Sequence, residues 1–308
     1  MRTLADPSDL GRPASGVCVA MGMFDGVHLG HQHVLRQAVL DARALGATPV
    51  AVTFDPHPLA IVHPEHAPRL LQSPAQRLRA LAGLGLDAAL VLRFDRDLAA
   101  IDGPGFIHRL ADGFGRIRSV TVGQGFHFGR NRTGNVPLLR ALGRSLGFAT
   151  HAVAPIHIGL ERVSSTRVRS SLREGRLGMV AELLGRPYAL GGMVVAGRRL
   201  GRALGFPTAN IDVSSLELPP WGAYAARAIL QGTRQRAVVN LGRKPTVEGG
   251  GAAPLLEVHL LDTHPDLYGC ELEVELVRML RPERRFPSIE ALREQIARDA
   301  EAARELLG

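Results

Sequence analysis

VCVAMGMFDGVHLGHQHVLRQAVLDARALG, residues Val17 to Gly46, carries the architecture of the first half of the chain. Val17–Met21 is a short apolar run of the kind that forms a strand buried on both faces. Apolar residues then recur at Val34, Leu35, Ala38, Val39, Ala42 and Leu45, the spacing of one helix face, and Gly46 is placed to stop that helix. A strand running into a helix through a glycine-rich turn is the opening unit of a parallel α/β sheet.

The same rhythm continues outward. Pro49–Phe54 reads as the next strand. Ser73-Pro74-Ala75-Gln76 reads as a helix start, with Leu78, Leu81 and Leu84 on one face. Ala88–Phe94 and Ser119–Gly123 are further strands. Pro137 opens a helix carrying Leu138, Leu139, Leu142 and Leu146 that ends at Gly147, and Thr150–Ala154 is a fifth strand. Alternation of this kind predicts a doubly wound parallel sheet. Near Gly185 the pattern changes. Ala223–Leu230, Ala237–Leu241, Leu255–Leu261 and Leu272–Val277 are short apolar segments separated by turn residues, which predicts an antiparallel barrel or sandwich. Ser288 caps a last helix with Ile289, Leu292 and Ile296 on its buried side. The boundary is expected in Gly185-Arg186-Pro187, giving domains 1–184 and 185–308.

The 308 residues are 45% hydrophobic, enough for two cores. No apolar run has the length of a membrane span, and the amino terminus has no apolar leader segment. Cys18 and Cys270 are far apart and form no CxxC pair. A soluble cytoplasmic protein is the expectation. The net charge is +8, and Lys244 is the only lysine, which excludes a P-loop. The positive balance fits anionic ligands such as nucleotides. A nucleic-acid binder is disfavoured, because aromatics are 5% and no concentrated basic run exists. Oligomeric state is left open.

Two segments of the first half carry phosphate chemistry. His28-Leu29-Gly30-His31 stands at the strand-to-helix junction, where helix N–H groups and dipole attract phosphate. Gly30 permits close approach, and the two imidazoles can donate to phosphate oxygens. Ser164-Ser165-Thr166 followed by Arg167 and Arg169 offers hydroxyls and guanidinium groups before a further helix. Taken singly, the first also describes a decorated turn and the second an ordinary helix cap. In the second half, Gly201-Arg202-Ala203-Leu204-Gly205-Phe206-Pro207-Thr208-Ala209-Asn210 combines flexible glycines with the oxygen donors Thr208 and Asn210, which suit Mg²⁺ beside ATP. It equally describes a turn-rich loop. Glu257, in Leu256-Glu257-Val258-His259, is placed on a strand as a candidate base, or as an outward-facing glutamate paired with an arginine.

Together these motifs resemble a known family. HxGH and SSTxxR are marks of the nucleotidyltransferase superfamily. Thr53-Phe54-Asp55-Pro56-His57-Pro58 and Gly123-Gln124-Gly125-Phe126-His127-Phe128-Gly129 are similar to segments of the bacterial bifunctional riboflavin kinase/FAD synthetase family. Gly185-Arg186-Pro187-Tyr188, the PTAN segment, Gly222-Ala223-Tyr224, Asn240-Leu241-Gly242-Arg243-Lys244-Pro245-Thr246, Leu267-Tyr268-Gly269 and Leu280-Arg281-Pro282-Glu283 follow in that family's order, so the likeness spans nearly the whole chain.

The resemblance implies two activities: phosphorylation of riboflavin to FMN, and adenylylation of FMN to FAD, with ATP and Mg²⁺. It implies His28 and His31 as catalytic phosphate contacts, supported by Gly22, Phe24, Asp25, Gly26, Gly30, Ser164, Ser165, Thr166 and Arg169. Glu257 is implied as the catalytic base of the kinase. Gly201, Arg202, Gly205 and Pro207 are implied on its ATP, with Thr208 and Asn210 on the metal. His57, Pro58, Phe126 and Arg281 are implied as flavin contacts. One departure stands out: the family's Gly-x-Asp-Phe is Gly123-Gln124-Gly125-Phe126 here. The alternative it opens is a kinase whose amino-terminal domain is weakened or regulatory.

Overall fold

The computed structural model describes residues 1–195, 204–230, 232–244, 253–263 and 265–308. The chain packs into two compact units, 1–69 with 74–165, and 70–73 with 166–308.

In the first unit the elements run β1 (Arg2–Leu4), β2 (Val17–Met21), α1 (Leu29–Leu45), β3 (Thr48–Asp55), α2 (Pro58–Val62), α3 (Pro74–Gly83), β4 (Ala88–Arg93), α4 (Arg96–Ala100), α5 (Gly103–Phe114), β5 (Ile117–Gly123), α6 (Val136–Leu146) and β6 (Ala149–Val153). A two-stranded ribbon follows, β7 (His157–Ile158) with β8 (Glu161–Arg162). Strands β1 to β6 form a parallel sheet in the order β1-β4-β3-β2-β5-β6.

Both faces of the sheet are covered, as the apolar run at Val17–Met21 predicts. Val17, Val19, Met21, Val50, Val52, Leu90 and Leu92 join one core with Ile107, Leu110 and Leu139. The intervening Ala20, Ala51 and Ala89 join the other, with Leu35, Ala38 and Leu81. These three alanines are register partners on adjacent strands, and their small side chains let α1 lie close to the sheet. α1 ends at Gly46, whose φ of 60° supplies the left-handed cap.

The second unit holds α7 (Ser165–Arg173), whose first residue packs with the first unit, α8 (Leu177–Leu184), β9 (Ala189–Val195), β10 (Ala209–Asp212), β11 (Gly222–Leu230), β12 (Thr233–Lys244), β13 (Ala253–Leu260), β14 (Glu271–Pro282) and α9 (Ile289–Leu307). Six strands close an antiparallel barrel in the order β10-β13-β12-β11-β14-β9. Alternate residues such as Leu256, Val258, Val239 and Val274 are buried, the period of two expected of barrel strands. Register shifts along β11 and β14 bend those strands at the barrel corner.

α9 lies on part of the outer barrel surface. Ala300, Ala303 and Leu307 pack on Ala225 and Val238. Ser288 caps the helix as expected, its Oγ accepting from the Ala291 N–H. The expected buried face is corrected: Ile289 is 58% exposed, Leu292 and Ile296 are half-buried, and the buried stripe lies further along, at Asp299, Ala300, Ala303 and Leu307. β1 was not foreseen; it extends the parallel sheet beside β4. No helix among the described residues is long and apolar enough to cross a membrane.

Arg281 fixes α9 to the barrel. Its Nε donates to Asp299 Oδ2 at 2.9 Å, and the two side chains are 15% and 6% exposed. Removing one partner of a buried pair leaves an uncompensated charge. Asp299→Ala is expected to cost about 3 kcal/mol of barrel stability. Trp221 is the only tryptophan and stands in the barrel unit, so its fluorescence in a urea titration reads that loss as a lower midpoint.

Candidate active sites

In the first unit the sheet order gathers the candidate residues. β2 lies between β3 and β5, so the carboxyl ends of these three strands are neighbours at about 4.8 Å spacing. Gly22–His31 leaves β2, Asp55–Pro58 leaves β3, and Gly123–Phe128 leaves β5. This is the topological switch point, where open α/β sheets bind ligands.

The segment between β2 and α1 is held in an uncommon conformation. Phe24, Gly26 and Val27 have φ of 50°, 82° and 40°, which is costly for the two residues that are not glycine. Four side chains hold it there. Thr53 Oγ1 and Arg77 Nη1 donate to the Met23 carbonyl at 2.9 and 3.4 Å. Ser165 Oγ donates to the Asp25 carbonyl at 3.0 Å, and Gln32 Nε2 to the Val27 carbonyl at 3.0 Å. Carbonyls that would repel a phosphate are thereby engaged within the protein.

His28 caps α1: its Nδ1 accepts from the His31 N–H at 3.2 Å. In the neutral ring the proton then resides on Nε2. The His28 and His31 rings stack at 3.6 Å between centroids, and the Phe24 edge meets His31. Gly30 leaves room for this stack, since a Cβ there would stand 3.2 Å from the His28 ring and crowd it. A Cβ at Gly22 would collide with the Phe24 ring. Asp25 and His28 are buried.

His57 caps α2, its Nδ1 accepting from the Leu59 N–H at 3.2 Å, and Pro58 opens that helix. Phe126 is half-buried and stacks on Phe128. Ser164 and Ser165 pack with this unit. Thr166 and Arg169, further along α7, pack with the second unit, where Arg169 is buried.

Arg77 was not foreseen as part of this site. It is a buried arginine of α3 whose Nη2 is 3.8 Å from Asp55 Oδ1. Burial lowers its pKa, opposed by Asp55 and Asp25. The available signal was an arginine on the same helix face as Leu81 and Leu84.

In the barrel the strand registers place five residues in one row across the sheet. Asn210 pairs with Glu257, Glu257 with Asn240, Asn240 with Ala223, and Ala223 with Arg281. Directly paired residues present side chains to the same face, here the face opposite Leu256 and Val258. Asn240 Nδ2 is 3.5 Å from Glu257 Oε2. Arg281 is three strands from Glu257, roughly 14 Å along the sheet, and its described partner is Asp299. Asn240 was quoted in a motif but not as a site residue. A Cβ at Gly242 would meet the Glu283 carboxylate at 2.9 Å and Asn240 Nδ2 at 3.3 Å, so glycine there keeps room beside the row.

Pro207, Thr208 and Ala209 line a cavity of about 370 Å³ with Val194, Val258 and Leu260, a volume in the range of small-molecule sites. Asn210 follows directly, so the PTAN segment reaches from the cavity to Glu257. His259 Nδ1 lies 2.9 Å from the Pro207 carbonyl oxygen, and the ring meets Phe206 edge to face. His259 thus holds the start of that segment, a role the sequence reading did not assign. Gly205 has φ of 87° and precedes it. Gly201 and Arg202, with Pro245 and Thr246, lie outside the described residues.

Two family models divide the chain. The FAD synthetase model matches residues 12–167, and the riboflavin kinase model matches residues 184–307. The chain belongs to the bifunctional riboflavin kinase/FMN adenylyltransferase family. Relatives carrying that description include proteins of Escherichia coli strain K12, 39% identical over 96% of this chain and 94% of theirs, and of Pseudomonas fluorescens, 40% identical over the same shares. The Haemophilus influenzae protein is 35% identical over 95% of each chain. A crystal structure described as a macrolide-efflux protein from Streptococcus pneumoniae aligns with TM-score 0.81 and 26% identity, covering 99% of both chains.

Glu257 is half-buried on the barrel wall of this family member, and desolvation raises its carboxyl above the ordinary 4.5, with the Asn240 hydrogen bond opposing. A carboxyl raised in the folded state favours folding below its unfolded value, and that contribution is lost as pH rises through the folded value. The group therefore favours folding less at neutral pH than in acid. Glu257→Gln is expected to raise the urea midpoint at neutral pH and to leave it nearly unchanged in mild acid.

Proposed function

We propose that residues 185–308 transfer the γ-phosphoryl group of ATP to the terminal ribityl hydroxyl of riboflavin, and that residues 1–184 transfer the adenylyl group of a second ATP to the FMN phosphate. The first reaction yields FMN and ADP. The second yields FAD and pyrophosphate. The observation that carries the reading is the register row that sets the Glu257 carboxyl between Asn210 and Asn240, with Asn210 following directly on the Pro207–Ala209 segment that lines the cavity.

In the kinase half, Glu257 accepts the hydroxyl proton as the oxygen attacks phosphorus. Its raised pKa suits that task, because a weaker acid is a better proton acceptor once ionised. Asn240 orients the carboxylate. Pro207 and the glycine-rich segment hold ATP, and His259 keeps Pro207 in place. Thr208 and Asn210, with Glu257 beside them, form a hard oxygen set that fits Mg²⁺. Bound there, Mg²⁺ would neutralise charge on the phosphates.

In the adenylyltransferase half, the α-phosphate of ATP rests over the amino terminus of α1. His28 presents Nε2–H, and His31 is held beside it. Ser164, Ser165, Thr166 and Arg169 complete the phosphate contacts. These donors offset charge on the α-phosphate and the departing pyrophosphate. Gly22, Phe24, Asp25 and Gly26 shape the turn, while His57, Pro58 and Phe126 face the flavin. Within the kinase half, we also assign Arg281 to the flavin. Water-soluble substrates of this kind fit a cytoplasmic enzyme with no nucleic-acid role.

Glu257→Gln is expected to reduce FMN formation by about 10²–10⁴-fold and to leave adenylylation of supplied FMN intact. His28→Ala is expected to do the reverse, lowering FAD formation by about 10²–10³-fold with FMN formation unchanged. Chromatography of the flavins reads both.

Gly125 favours a second reading, in which adenylylation is weak. A Cβ at this position would find its nearest neighbour in Arg162 Nη1 at 3.8 Å, so an aspartate has both space and a cationic partner. Gly125→Asp is expected to raise kcat/KM for FAD formation. An unchanged value would mean that the missing carboxylate is not limiting.

A further inference from the structure

Residues 63–66, His-Pro-Glu-His, form a short turn beyond α2 that neither proposed reaction uses. Residues 64–66 make a single 3₁₀ turn. The His66 N–H bonds the His63 carbonyl at 2.9 Å, and the His63 N–H bonds the Leu59 carbonyl at 2.9 Å, which ties the turn to α2. Pro64 restricts the backbone between the two histidines. His63 is the residue before the turn, with φ −147° and ψ 71°, and the two imidazole centroids are 6.3 Å apart.

Glu65 completes the group. Its Oε1 lies 3.6 Å from His63 Nδ1 and 3.0 Å from His66 Nδ1. One ligand atom from each of the three residues lies within 4.8 Å of the others, the one such group of histidine, cysteine and carboxylate among the described residues. Ligand atoms about 2.1 Å from an ion are separated by about 3.0 Å in an octahedron and about 3.4 Å in a tetrahedron. The two histidine-to-carboxylate spacings are already of that size. The remaining one closes by rotation of an exposed imidazole, and all three side chains are open to a hydrated ion.

We propose that His63, Glu65 and His66 bind one divalent ion of the zinc class through two imidazoles and a carboxylate, with water in the remaining positions. Imidazole selects this class over Mg²⁺, which prefers an all-oxygen shell. The site is therefore distinct from the cation beside ATP.

The test is zinc competition against a chromophoric chelator with the full-length protein, at a pH where free histidine is neutral. One zinc per chain is expected. His63→Asn and His66→Asn should each weaken binding at least about tenfold, Glu65→Gln should weaken it, and His33→Asn, an exposed histidine on α1, should leave it unchanged. The substituted positions are exposed, and circular dichroism checks that each variant is folded. Zinc binding equally tight in the double variant His63→Asn/His66→Asn, or no zinc binding by the wild-type chain, overturns the proposal.

Discussion

Backbone pairing of β10 with β13, and of β13 with β12, is the constraint on which the kinase half rests. These two ladders set Asn210, Glu257 and Asn240 in a row. A slip of one residue in either ladder would turn the carboxylate to the opposite face and replace it with an apolar neighbour. Closure of the barrel protects that register, because a sheet without free edges has few alternative pairings. Glu257 is half-buried on that wall, and partial desolvation there raises its pKa. Fold and chemistry are coupled here through desolvation.

The amino-terminal half solves a related problem differently. Its strands are parallel, and the order β3-β2-β5 gathers three segments distant in sequence at one sheet end. Positive φ at Phe24 and Val27 is a local cost that side chains from β3, α1, α3 and α7 offset by engaging the carbonyls of the turn. Arg77 belongs to this set as a positioning residue, since it reaches the Met23 carbonyl and Asp55.

Much of this was legible in the sequence. Val17–Met21 and the helix after it show their pattern because one strand buried on both faces and one amphipathic helix each leave a local periodicity. Gly46 and Gly147 mark helix ends for the same local reason. What escaped depends on contacts between distant residues. Arg77 is buried by the Met23 carbonyl, 54 positions away. Asn240 meets Glu257 only through strand register. β1 is three residues long, with Arg2 and Thr3 exposed, and carries no periodicity at all. Ile289 looks like core by composition, yet α9 buries an alanine stripe nearer its carboxyl end. Physics alone left the candidate segments between a turn and a phosphate cradle, and motif resemblance supplied the residue roles proposed for them.

Two separate reaction centres, each aiming a different phosphorus of ATP at a flavin-borne oxygen, make a claim that isotope labelling addresses directly. The purified chain is given riboflavin, Mg²⁺ and ATP labelled at either the γ- or the α-phosphorus, and the flavins are separated. The γ-label should enter both FMN and FAD, and the α-label FAD alone. Absence of both labels from the flavins, or α-label in FMN, would contradict the assignment.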